Sequence, residues 1–308
     1  MGSRGYRYMK YLKIGFITIG LLICFQSAAH AGPGVRYTML NVSSHNLVGD
    51  AHLIQFADGQ VYVIDTGNEG VSGGGKLVSY LKEAKIEKID KLFISHAHRD
   101  HYGGLIDLMN SSIIIYEIYF NLPDRAACDQ ERPWGCDYDH IMKVRGLIQG
   151  RRLKMTAMRT GDIYQPTEDV KLQVLFVQKG WHPNIGKTDI NDTSAVMKLI
   201  HGNQSVLFTG DLNWKAGDYL AGRTFELKAD IFKVPHHGTE SAASNYFFKA
   251  VKSKVAMVPS SAPVWLGDRS RRIREYFHSN KIPVYISGLN GDVSISILKD
   301  SYRVYADK

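Results

Sequence analysis

The chain has 308 residues, 44% of them hydrophobic and 22% charged, with a formal net charge of +8. That balance belongs to a globular protein with a substantial core and excludes a disordered or fibrous chain. Residues 1–31 hold four of the basic side chains and no acid, so without them the charge falls to +4, compatible with an anionic substrate but not demanding one.

Arg4, Arg7, Lys10 and Lys13 precede an apolar run at 14–25, and Ala29-His30-Ala31 then places small residues where a signal peptidase reads. The run is shorter than the ~20 residues that span a bilayer. Residues 1–31 are therefore expected to be a signal peptide and Gly32 the first mature residue, with an uncleaved anchor as the alternative; Cys24 follows the bulky Ile23, which argues against lipidation there. Beyond the signal, 35–42, 52–56 and 61–64 read as an antiparallel meander punctuated by Gly49-Asp50 and Asp58-Gly59 turns. Asp65-Thr66-Gly67 ends the third strand, a Gly-rich stretch at 70–75 leads into a helix over 76–84, and a strand follows at 91–95. Next come a helix at 105–109, a strand at 113–120, a loop bounded by Cys128 and Cys136, and a helix at 138–150. In an oxidising compartment those two cysteines are expected to pair; free thiols are the alternative, and two cysteines alone lack the ligands for zinc. Strands are expected near 155–158, 170–176, 194–200 and 205–209. Helices at 215–220, 244–251 and 269–279 then alternate with strands at 231–234, 255–259 and 284–286, and the chain closes with strands at 293–298 and 302–305. Meanders interleaved with helices indicate an α/β protein with two sheets between helical layers, an αββα sandwich, forming one domain over 32–308.

Chemistry concentrates in Ser95-His96-Ala97-His98-Arg99-Asp100-His101-Tyr102-Gly103-Gly104. Three imidazoles and a carboxylate within six positions, directly after an apolar strand, form a ligand set suited to zinc or a similar divalent ion. This segment resembles the His-x-His-x-Asp-His signature of the metallo-β-lactamase superfamily. Val63-Ile64-Asp65-Thr66-Gly67, Phe208-Thr209-Gly210-Asp211 and Val234-Pro235-His236-His237-Gly238 resemble further motifs of that family in the same order. The resemblance implies the metallo-β-lactamase fold and two divalent metal ions, zinc foremost with manganese as the alternative. One metal would take His96, His98 and Asp211; the second would take Asp100, His101, Asp211 and His236 or His237, with His237 preferred. Asp65 would support the ligands by hydrogen bonding from behind. The family's third motif, normally a histidine, is absent, and Asp192, Asn191 or His182 is the candidate replacement.

The segments 35–105, Asn191-Asp192-Thr193-Ser194-Ala195-Val196 and Lys233-Val234-Pro235-His236-His237-Gly238-Thr239 are similar to the hydrolase domain of ComEC-type bacterial DNA-uptake proteins. The chain departs from them at Ser43-Ser44-His45-Asn46 and after Ser260-Ser261-Ala262-Pro263, and it lacks their membrane segments. The implied activity is a periplasmic or secreted phosphodiesterase using water activated by the metals, with Asp211 holding the pair and Asp100 orienting the hydroxide. DNA or a phosphorylated polymer is the expected substrate, contacted by Arg269, Arg271, Arg272 and Arg274. Tyr102 and His45 are candidates for a leaving-group acid, and Trp134, Tyr138, Trp181 and Trp265 for lining the cleft. A β-lactamase or lactonase-type ring hydrolase and a non-catalytic metal-binding protein of the same fold are the alternatives.

Overall fold

Strands in this chain form where β-branched and aromatic residues alternate between two faces, and the structure, a computed structural model, describes residues 34–45, 47–131, 136–178, 189–223 and 226–308. The expected signal peptide, Trp134, Trp181 and His182 lie outside the described residues. The first strands are Val35–Met39 (β1), Ala51–Gln55 (β2), Val61–Thr66 (β3), Lys88–Ile94 (β4), Ile114–Phe120 (β5) and Lys154–Thr156 (β6). Then follow Ile163–Thr167 (β7), Val170–Phe176 (β8), Val196–His201 (β9), Gln204–Phe208 (β10), Ile231–Lys233 (β11), Val255–Val258 (β12) and Val284–Ile286 (β13), before Val293–Ile297 (β14) and Tyr302–Ala306 (β15). One sheet has the order β15-β14-β1-β2-β3-β4-β5-β6 and the other β13-β12-β11-β10-β9-β8-β7.

Side-chain alternation divides the core into three layers. In β3, Tyr62 and Ile64 face the second sheet, whereas Val61 and Val63 face the helices Gly74–Glu83, Leu105–Met109 and Tyr138–Gly150. On the far side, Leu207, Phe232 and Ala256 of the second sheet pack under the helices Trp214–Ala221, Asn245–Val251 and Arg271–Ser279. This is the αββα sandwich expected from the sequence. Phe93 occupies the middle layer without solvent exposure, its ring centroid 4.8 Å from Tyr119, 4.9 Å from Tyr164 and 5.8 Å from Tyr62. Phe93→Ala is expected to destabilise the fold by about 3–5 kcal/mol through lost burial and a residual cavity, measured by urea unfolding. A loss below about 1 kcal/mol would show that the two sheets do not pack through this ring.

Several elements escape the sequence pattern. β7 carries Pro166, which removes a backbone donor, and it survives as the edge strand of its sheet, where a donor can be spared. The segment after β4 contains a short helical turn, Arg99–Tyr102, that the sequence pattern does not mark. By contrast, Cys128 and Cys136 are joined as expected, with 5.0 Å between their Cα atoms. Among the described residues, no helix is long and apolar enough to cross a membrane.

Both sheets pass from antiparallel to parallel pairing: β3, β4 and β5 run parallel in the first, β10, β11 and β12 in the second. The loops leaving the C-terminal ends of β3, β4, β10 and β11 meet at one edge of the sandwich. Such strand ends are where open α/β sheets offer unpaired backbone and room for ligands.

Candidate metal centre

His96 and His98 follow β4 across a bend at 96–97, and His98 stands at φ −99°, ψ 147° before the helical turn begins. Their Nε2 and Nδ1 atoms face each other at 3.2 Å. The turn Arg99–Tyr102 then swings Asp100 and His101 toward the second sheet. It can pack this closely on β3 because a Cβ on Gly104 would lie 2.2 Å from the Thr66 carbonyl oxygen, and Thr66 Oγ1 donates to the His101 carbonyl at 2.9 Å. From the other side, Asp211 leaves β10 through the left-handed Gly210, its amide donating to Ser194 Oγ at 2.8 Å.

His236 and His237 leave β11 with both backbones left-handed, at φ 50° and 53°. Successive left-handed residues send their side chains apart, and the two rings lie 6.1 Å apart at 73°. His237 turns inward. His236, the other candidate from the sequence, places Nδ1 2.8 Å from Asn213 Oδ1 and 3.2 Å from Ser241 Oγ, outside the ligand cluster although it lines the cleft. Burial pushes its pKa down to about 4.

His237 Nε2 is 3.1 Å from Asp211 Oδ2 and 3.0 Å from Asp100 Oδ2, while His101 Nε2 is 3.3 Å and 3.8 Å from the same two oxygens. A tetrahedral zinc site with ligand distances of ~2.0–2.1 Å has edges of about 3.3 Å, and these four separations are of that size. His101 Nε2 is buried without a well-aligned hydrogen bond, as expected of a ligand nitrogen. The electrostatics agree. Burial opposes charge on His101, yet Asp211, Asp65, Asp100 and Asp50 hold its pKa well above the usual imidazole value. Burial likewise opposes charge on His237, and Asp211, Asp100 and Asp50 raise it. The carboxylates thus demand positive charge at this point, which a divalent cation would supply in place of protons.

Three residues not singled out from the sequence hold this arrangement. Asp50, read there as part of a turn, is fully buried; burial opposes its charge, but Lys233, His101 and His237 keep its carboxyl well below the usual range. One of its oxygens and one ligand atom each of His101, Asp211 and His237 all lie within 4.8 Å of one another, a set that could itself hold a metal ion. Asp50 approaches His237 through Nδ1, at 3.1 Å, and pairs with Lys233, so it stands behind the ligand hollow while Asp100 borders the Nε2 side. Lys233, also buried, is 3.3 Å from Asp211 Oδ1 and donates to the Gly210 carbonyl at 2.6 Å. Glu131 Oε2 is 2.8 Å from His98 Nε2. Asp65 accepts from the Ser95 amide at 2.7 Å and from its hydroxyl at 2.8 Å, and lies 2.8 Å from His101 Nδ1.

The site opens into a cleft of about 880 Å³ lined by Asn68, Arg99, Asn191, His236, Glu240 and Arg269, among others. In the third-motif interval, Asn191 faces this cleft and its buried Oδ1 has no hydrogen-bond partner, whereas Asp192 accepts from the Asn213 amide at 3.1 Å and does not line it. Burial, reinforced by Asp189, raises the Asp192 pKa to about 7. Of the four arginines, Arg269 reaches the cleft. Arg272 caps the carbonyls of Glu240, Ala242 and Ala243, Arg274 those of Trp265 and Gly267, and Arg271 pairs with Asp268. Tyr102 is buried with its hydroxyl 3.0 Å from His140 Nδ1, which removes it from leaving-group chemistry; His45 is exposed and does not line the cleft. Trp265 is a packing residue under Gly238, and Tyr138 stacks on Arg125, so neither lines the cleft.

A model of the Metallo-beta-lactamase superfamily matches residues 46–261. The chain is 27% identical over 209 residues to the uncharacterized protein YcaI of Escherichia coli (strain K12), an overlap of 66% of this chain and 23% of that protein. It is 25% identical over 203 residues to the competence protein ComA of Neisseria gonorrhoeae, an overlap of 64% and 24%. It therefore spans about a quarter of the length of these relatives. The solved structure of CmlA, a diiron beta-hydroxylase from Streptomyces venezuelae, matches with a TM-score of 0.50 at 12% identity, over 88% of this chain and 54% of that one, a likeness of fold alone.

Proposed function

Because the chain belongs to the metallo-beta-lactamase superfamily of metal-dependent hydrolases and is of the ComEC type, we propose that it is an exported enzyme that cleaves phosphodiester bonds in an anionic substrate, DNA or a phosphorylated polymer. The observation that carries this reading is the convergence of Asp100, His101, Asp211 and His237 on one hollow at the floor of a cleft that also bears Arg99 and Arg269.

In this reading Asp100, His101, Asp211 and His237 hold one divalent ion, and His96, His98 and Asp211 a second, with Asn191 Oδ1 available to complete its set. Bound there, such ions supply Lewis acidity toward a phosphoryl oxygen and a water acidic enough to ionise near neutral pH. The chain's own groups do the rest. Asp211 Oδ2 faces both His101 and His237, and the same carboxylate would also serve the His96 and His98 group. Asp100, on the cleft side, orients the attacking water by accepting its hydrogen bond. Arg99 and Arg269 contact the flanking phosphates and set the strand across the floor. Asp65 fixes His101 through Nδ1, leaving Nε2 aimed inward.

Arg269→Ala is expected to raise KM for an oligonucleotide about threefold to tenfold at low salt with kcat unchanged, and to lower the salt slope of binding by about one. Arg271→Ala, on a residue paired with Asp268, is expected to change neither. Equal effects from both substitutions would show a diffuse charge effect rather than a cleft contact.

The same reading takes residues 1–31 as a signal peptide and 32–308 as one hydrolase domain, periplasmic or secreted. The exported protein is expected to begin at Gly32; a mass that includes residues 1–31 contradicts cleavage. The activity itself is tested with the mature chain on bis-p-nitrophenyl phosphate, plasmid DNA and a chromogenic cephalosporin, alongside His98→Ala. Phosphodiester cleavage lost in the variant supports the proposal, and cephalosporin turnover alone replaces it with a ring hydrolase.

A further inference from the structure

We propose that Glu131, held by the disulfide-closed segment between Cys128 and Cys136, is a positioning residue that turns the His98 imidazole toward His96. The proposal rests on the reading of His96 and His98 as ligands of a metal ion. The histidines of the site are oriented in two opposite ways. His101 and His237 face the hollow with Nε2 and are fixed through Nδ1, by Asp65 at 2.8 Å and by the Pro259 carbonyl at 3.0 Å. His98 is reversed: its Nδ1 faces His96 Nε2 at 3.2 Å, and its Nε2 points outward to Glu131 Oε2 at 2.8 Å. A histidine that offers Nδ1 to a metal must carry its proton on Nε2, and an acceptor at Nε2 fixes both that tautomer and the ring direction.

His98 needs such a partner more than its neighbour does. His96 is fully buried and its Nδ1 lies 3.1 Å from Ser95 Oγ. His98 sits at the cleft rim, with 12% of its side chain exposed. Glu131 in turn is anchored at both oxygens: Oε2 also accepts from the Cys136 amide at 3.1 Å, and Oε1 accepts from the Ile190 amide at 2.7 Å. Cys136 is tied by the disulfide to Cys128, which is buried against the helical layer over the first sheet. A carboxylate on a cysteine loop is thereby fixed between the histidine segment and the turn that carries Asn191.

The test is a zinc titration against a chromogenic chelator, resolving two binding constants on the full mature chain. Wild type is expected to bind two equivalents. Glu131→Ala is expected to weaken one equivalent about tenfold to a hundredfold and leave the other within about threefold. Glu131→Gln, which can still accept the His98 proton through its amide oxygen, is expected to recover part of the loss. The double variant Cys128→Ser/Cys136→Ser is expected to weaken the same equivalent. Two unchanged constants in Glu131→Ala, or a parallel fall in both, would overturn the positioning role; an unchanged double variant would overturn the part given to the disulfide. A wild-type chain that binds no zinc overturns the metal-site reading itself, a different result from two tight sites that ignore Glu131.

Discussion

Asp211→Ala is expected to lower kcat/KM for bis-p-nitrophenyl phosphate by on the order of a thousandfold or more, with the chain still folded by circular dichroism. Asp211 Oδ2 lies 3.3 Å from His101 Nε2 and 3.1 Å from His237 Nε2, and its backbone amide is held by Ser194. No neighbouring carboxylate can take over. Asp100 already faces the same hollow through Oδ2, 3.0 Å from His237 Nε2, Asp65 is engaged by Ser95 and His101, and Asp50 is paired with Lys233. In the proposed site this carboxylate of Asp211 serves both ligand groups, so its loss would remove several kcal/mol of charge stabilisation in the transition state, and each ~1.4 kcal/mol is a factor of ten in rate. Activity within tenfold of wild type at saturating zinc would contradict the assignment. His236→Ala serves as comparison: it removes a cleft wall but no atom of the ligand cluster, so its zinc content is expected to stay at the wild-type level.

The second large effect concerns stability. Lys233→Ala is expected to cost about 3–5 kcal/mol of unfolding free energy, because it leaves the fully buried Asp50 without its ammonium partner. Whole domains are stable by only about 5–15 kcal/mol, so the variant is expected to be largely unfolded at modest urea. The combination Asp50→Asn/Lys233→Met, which removes both charges, is expected to regain part of the loss, since the penalty comes from the unpaired ion rather than from the missing bridge. Urea unfolding of the metal-free chains reads this directly. A Lys233→Ala penalty under about 1 kcal/mol would mean that water or a neighbour already satisfies Asp50.

The residues most readable in the sequence owe that to short range. His96, His98, Asp100 and His101 are packed into one segment after an apolar strand, so type and spacing alone reveal a ligand set. Asp50, Lys233 and Glu131 carry no such local mark. Asp50 follows a glycine and reads as turn chemistry, Lys233 lies inside a β-strand, and Glu131 sits in a polar cysteine loop; each acquires its role from partners far along the chain. The choice between His236 and His237 depends on a pair of left-handed backbone conformations that composition does not encode. In the third-motif interval, the 3-10 turn Ile190–Thr193 puts Asn191 toward the cleft and Asp192 against Asn213, a distinction of one position that only the turn geometry decides. The same limit applies to the arginine run. Its helical charge pattern suggested a phosphate-binding face, but Arg272 and Arg274 are spent on backbone carbonyls. For the strands, the interleaving of meanders with helices indicated the layers correctly, and β7 was missed because Pro166 breaks the pattern on an edge where it does little harm.

In the proposed arrangement Asp100, His101, Asp211 and His237 hold one metal ion and His96, His98 and Asp211 the other. Anomalous diffraction at the zinc edge from crystals of the mature chain grown with zinc tests it most directly. Two peaks are expected, one enclosed by Asp100, His101, Asp211 and His237 and one between His96, His98 and Asp211. A peak coordinated by Asp50 on the Nδ1 side of His237, or no peak near Asp211, would contradict it.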